Sequence, residues 1–103
     1  MHAQVKRAGA TVYAVVDFEG IAERLANAKL YMVAAALEMH AEEIGARYTG
    51  PNVSRCESWG GQWGKPLEAR GTVSIETHHG TDSELEQAED ALRAALNKCG
   101  VLA

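Results

Sequence analysis

Apolar residues recur every three or four positions from Ile21 to Tyr48, the longest uninterrupted helical pattern in the chain. Leu30, Val33, Leu37, Ala41, Ile44 and Tyr48 form one stripe. Ile21, Leu25, Ala28, Met32, Ala36 and Met39 form a second beside it, so the apolar arc is wide. Glu23, Glu38, Glu42 and Glu43 keep a narrow wet edge. At ~1.5 Å per residue such a helix is roughly 40 Å long. A small chain cannot bury that length by wrapping, so the helix is expected to lie across a sheet, along a second helix or against another subunit. Gly50-Pro51 is a strong stop, which puts the helix end between Gly45 and Gly50.

Residues 11–18, rich in β-branched and aromatic types, predict a strand. Val12, Ala14, Val16 and Phe18 would face one side and Tyr13 and Val15 the other, which suggests cover on both faces. Gly9 marks a turn or bulge pairing residues 3–7 with 11–17. Asp17 is placed as the N-cap of the long helix, with Glu19 in its first turn. Residues 71–79 alternate strictly, with Val73, Ile75 and Thr77 against Thr72, Ser74, Glu76 and His78, a strand with one solvated face. After Gly80, Thr81-Asp82-Ser83-Glu84 fits a capping box. Leu85, Ala88, Leu92, Leu96 and Cys99 then make one narrow stripe, closed by Gly100 as C-cap. Segment 49–70 holds both prolines, both tryptophans and four of the ten glycines. It reads as an irregular loop, with a short strand at Asn52–Ser58 as the one regular option. The expected fold is a single α+β domain over residues 1–103. A small antiparallel or mixed sheet is packed by one long helix and one shorter C-terminal helix, both on one face.

Composition narrows the class. With 47% hydrophobic and 23% charged residues the chain is of the folded type. No apolar run reaches the ~18 residues a membrane span needs. The amino-terminal residues lack a signal-peptide core, so a cytoplasmic location is expected, where Cys56 and Cys99 remain free thiols. The net charge of −4 is concentrated in the helices, while segment 47–70 is mildly basic through Arg47, Arg55, Lys65 and Arg70. That is no nucleic-acid footprint, which requires a basic face.

The local chemistry is sparse. Trp59 and Trp63 stand in a glycine-rich, weakly basic stretch with Arg55 and Lys65 nearby. Two readings stay open: the tryptophans anchor a partner, or one or both fold back and plug a small core. A phosphate loop is excluded, because Trp59 and Pro66 occupy positions that motif needs as Gly and Ser/Thr. His78 and His79 are adjacent on a strand and point to opposite faces, and His40 with Glu43 is only half of a metal site, so no metal or other cofactor is expected. Cys56 with His78 or His79 would serve as nucleophile and base only if the loop folded over the strand. Val33-Ala34-Ala35-Ala36 admits close approach of another backbone, either in ordinary helix-on-sheet packing or in self-association through Ala34 and Ala35.

One family carries the same order of elements. A strand running into Val16-Asp17-Phe18-Glu19-Gly20-Ile21-Ala22-Glu23-Arg24-Leu25 leads to a long Ala- and Glu-rich helix ending Ala41-Glu42-Glu43-Ile44-Gly45-Ala46-Arg47. Over about half its length the chain resembles the tail-completion, or head–tail connector (neck), proteins of long-tailed bacteriophages. It departs from their post-helix turn, having Tyr48-Thr49-Gly50-Pro51-Asn52 instead. The resemblance implies a non-enzymatic, ring-forming protein without a cofactor, found in the host cytoplasm during assembly and then in the virion.

The expected function is therefore structural. The chain would join copies of itself and neighbouring structural proteins, with Trp59 and Trp63 as apolar anchors, Arg55 and Lys65 steering, and Ala34 and Ala35 in a helix contact. No membrane, sequence-specific nucleic acid or small-molecule substrate is expected. The alternatives are a small inhibitor or adaptor of the anti-defence type that grips a host protein through the 49–70 loop, and more remotely a Cys/His hydrolase.

Overall fold

Two ββα units follow one another in the computed structural model, which describes residues 2–64 and 66–101. The first comprises β1 (His2–Ala8), β2 (Thr11–Glu19) and α1 (Glu23–Ile44); the second comprises β3 (Tyr48–Trp59), β4 (Glu68–Thr77) and α2 (Asp82–Lys98). The strands form one antiparallel sheet in the order β1-β2-β4-β3, so each unit contributes one central and one edge strand. The helices share one face and cross over. α1 lies on β3 and β4, α2 on β2 and β1, and the helices also touch each other. Each hairpin is thus covered by the helix of the other unit, which makes the two units one domain.

The alternating residues of the central strands build the core. Val12, Ala14, Val16 and Phe18 of β2 and Ala69, Val73 and Ile75 of β4 are buried under Leu30, Val33 and Leu37 of α1 and Leu85, Leu92 and Leu96 of α2. Each large side chain contributes roughly 1.5–3 kcal/mol by leaving water, more than any exposed ion pair on the surface. Gly71 is required in this layer. A Cβ there would collide with Leu30 Cδ1 and lie 2.7 Å from Cys56 Sγ, so its absence lets α1 settle onto the sheet. Asn27 completes that docking, its Oδ1 accepting the Cys56 backbone N–H at 2.7 Å.

The expected α+β architecture, the helices on one face and the capping box of α2 are all present. Thr81 accepts from the Glu84 backbone, and the Glu84 side chain returns to the Thr81 N–H. Gly100 follows the C-cap residue Cys99 in a left-handed conformation, φ 71.

Four expectations need correction. The helix runs only from Glu23 to Ile44, because left-handed Gly45 stops it and Tyr48 already belongs to β3. Asp17 is not its N-cap: β2 continues to Glu19, and the N-cap is Ala22, without a side-chain bond. The second face of β2 is not covered by either helix, so Tyr13 and Val15 are only half-buried on the open sheet face. The supposed 49–70 loop is chiefly strand, irregular only between Trp59 and Glu68. Register shifts at Thr49/Asn52 and Ser54/Glu57 interrupt the alternation of β3, hiding it from a period-two reading. Pro51 is tolerated because β3 is an edge strand, where a missing N–H breaks no central ladder.

Candidate interaction surface

Trp59 ends β3 opposite Glu68, and its indole lies on the open face of the sheet, away from the helices. Its Nε1 donates to Glu68 Oε2 at 2.7 Å, and the Arg70 guanidinium sits 5.7 Å from the ring centre. Arg70 Nε donates in turn to Asp17 Oδ1 at 2.6 Å, and His2 Nε2 is 3.4 Å from the other Asp17 oxygen. Cross-strand pairing dictates this row, since Asp17 faces both Arg70 and His2 across neighbouring strands. The hydrogen bond to Asp17 raises the Arg70 pKa above the ordinary arginine value, with Coulombic support from Asp17 and Glu68. A cleft of about 230 Å³ opens here, lined by His2, Asp17, Glu19, Trp59, Glu68 and Arg70 among others. Its opposite charges are spent largely on one another, so it is a braced surface with a half-exposed indole in it.

Beyond Trp59 the chain turns through a glycine-rich tip. The Pro66 carbonyl occupies the space where a Gly60 side chain would stand, and the same oxygen accepts the Gly61 N–H at 3.3 Å. The Gly20 N–H, donating to Leu67 O at 2.7 Å, ties the base of this hairpin to the end of β2. Trp63 stands at the tip, 96% exposed and with φ 54, a conformation unusual for an aromatic residue.

The two tryptophans thus part company. Trp59 folds back onto the sheet, but on its open face rather than into the core, and Trp63 projects alone. The remaining candidates are scattered. Arg55 lies on β3, but its side chain, like the whole of Lys65, lies outside the described residues. Ala34 is buried at 8% exposure and cannot meet a partner, whereas Ala35 is exposed. The sequence reading missed the outer face of α1, where Leu25, Tyr31, Met32 and Met39 are all more than half exposed. The signal was present in the second stripe, but periodicity alone does not tell which of two stripes the sheet covers.

A Cys56 nucleophile paired with His78 or His79 is contradicted by position. Cys56 is buried beside Gly71, while His78 and His79 follow the far end of β4, whose last residue Thr77 is six positions, roughly 20 Å at strand spacing, from Gly71. Burial, with a contribution from Glu23, raises its pKa, the opposite of an activated thiol. Contrary to expectation, His78 and His79 do not point to opposite faces of a strand: β4 ends at Thr77, and in the bend that follows the two rings pack edge to face at 6.4 Å. His40 Nδ1 lies 3.4 Å from Glu43 Oε2 on α1 itself. Among the described residues no helix is long and apolar enough to cross a membrane. Compared with protein-family models, curated proteins and solved structures, the chain has no match in any of the three.

Proposed function

We propose that this chain is a non-enzymatic assembly protein that joins copies of itself and neighbouring structural proteins, as the phage connector and tail-completion proteins it resembles are understood to do. Trp63 carries the reading. A nearly fully exposed tryptophan at the tip of a hairpin braced at its base is the arrangement of a contact anchor: a large apolar area held out at little further entropic cost. Trp59, held by Glu68 and Arg70, offers a second apolar surface at the root of the same hairpin. In this reading the tip enters an apolar recess on a neighbouring subunit or structural protein, while the sheet and its two helices act as a rigid wedge. The protein works in the host cytoplasm and is then built into the virion.

Native mass spectrometry over a range of protein concentrations tests this. Homo-oligomers that weaken in Trp63→Ala, with the circular dichroism spectrum unchanged, are expected. Persistent monomers that form only a one-to-one complex with a single host protein would replace the reading with that of an inhibitor or adaptor.

A further inference from the structure

The outer face of α1 carries a seam that the described residues leave largely uncovered. Leu25, Ala28, Met32, Ala35 and Met39 are spaced alternately three and four residues apart, the a/d pattern of a coiled-coil contact. At 3.6 residues per turn they fall within an arc of about 80°, opposite the seam of Ala26, Leu30, Val33, Leu37 and Ala41 that packs on the sheet. Leu25, Met32 and Met39 are 59%, 61% and 54% exposed. Single exposed apolar residues need no explanation, but three in register, with alanines between them, form a contiguous strip about 21 Å long. Met32, Ala35 and Met39 also line an apolar groove that Cys99, beyond the end of α2, helps to close.

We infer that this seam binds the same seam of a second copy, antiparallel, about a two-fold axis passing between Met32 and Ala35. The alternation of large and small residues is self-complementary in that orientation. Met32 rests on the partner copy's position 35 and Met39 on its position 28, so both methionines meet an alanine and the backbones approach closely at the centre of the contact. Charge fixes the direction. Arg24 and Lys29 lie in the first half of α1 and Glu38, Glu42 and Glu43 in the second, so antiparallel pairing brings bases alongside acids. Parallel pairing would stack the acids on one another. Naming a second copy as the occupant rests on the assembly reading above, but the surface is distinct from the hairpin tip. A closed two-fold contact here leaves the tips free to make a second kind of contact.

Sedimentation equilibrium of the full chain, with Met32→Glu and Trp63→Ala in parallel, separates the two ideas. A concentration-dependent dimer is expected, weakened at least about 30-fold by Met32→Glu and retained in Trp63→Ala. Because Met32 is mostly exposed, the variant should fold, which its circular dichroism spectrum checks. Orientation is read from oxidation of single cysteines introduced in a Cys99→Ser background. Ala35→Cys lies near the axis and should cross-link to itself, whereas Ala28→Cys is displaced from its own copy by ~16 Å along the axis and should not. A dimer indifferent to Met32→Glu, a monomer at every concentration, or equal cross-linking at both positions would overturn the proposal. Unchanged association in Trp63→Ala alone would instead count against the hairpin contact.

Discussion

Arg70 ties Trp59 to the sheet: its guanidinium lies 5.7 Å from the indole centre while its Nε donates to Asp17 at 2.6 Å. The indole is therefore positioned by a neighbouring strand rather than by the core, and it can be released without unfolding the domain. In a Trp63→Phe background, Arg70→Ala should make Trp59 more accessible to acrylamide quenching and shift its emission to the red. An unchanged quenching constant would show that the Glu68 bond alone holds the ring.

Leu30 fills the space above Gly71 where α1 meets the sheet, its Cδ1 standing where a Cβ would be. Gly71→Ala should destabilise the fold by about 1–3 kcal/mol through overpacking. Since Leu30 Cδ1 is the nearer of the two atoms in the way, the other being Cys56 Sγ, Leu30→Ala combined with Gly71→Ala should cost less than the sum of the two single changes. Urea melts of the four proteins provide the cycle, and strict additivity would mean that α1 shifts as a body to make room.

Much of this frame is legible in the amino-acid order, and the part that is not has a definable cause. α2 is announced by its capping box and by a single stripe from Leu85 to Leu96, and β4 by unbroken alternation from Thr72 to Thr77. β3 is hidden because its two register shifts break the period, and because Gly50-Pro51 reads as a stop when it lies inside an edge strand. Trp59 and Trp63 cannot be told apart without knowing where that strand ends. Leu25, Met32 and Met39 look like core until the narrow sheet is seen to cover only the opposite side of α1.

Cys56 and Cys99 should differ sharply toward thiol reagents. Burial raises the Cys56 pKa and shields its sulfur, whereas Cys99 is partly exposed. In native buffer a disulfide reagent should titrate one thiol, lost in Cys99→Ser, and the second only after denaturant is added. Rapid modification of Cys56 in the folded protein would contradict its placement under α1 and reopen a thiol chemistry.

Arg7 and Glu89 join β1 to α2 at 2.6 Å. The hydrogen bond from Arg7 holds the Glu89 carboxyl below its ordinary value, against a smaller opposing effect of burial. A carboxyl depressed in the folded state stabilises the fold above its unfolded pKa and loses that contribution as pH falls through the folded one. The difference in melting temperature between wild type and Arg7→Gln should therefore be small, fully present near neutrality, and vanish as pH drops well below about 4.5. Added salt should shrink it at neutral pH. A gap that persists into strong acid would mean that Arg7 acts through packing of its stem.

The assembly reading stands most directly on Trp63, which projects from a folded hairpin. The decisive measurement is the constant for association beyond the two-fold dimer, wild type against Trp63→Ala, from concentration-dependent sedimentation. Wild type is expected to form oligomers larger than the dimer, and Trp63→Ala to lose about 2 kcal/mol, roughly 30-fold, of that association with the melting temperature little changed. Equal association by both proteins, each folded, would contradict it.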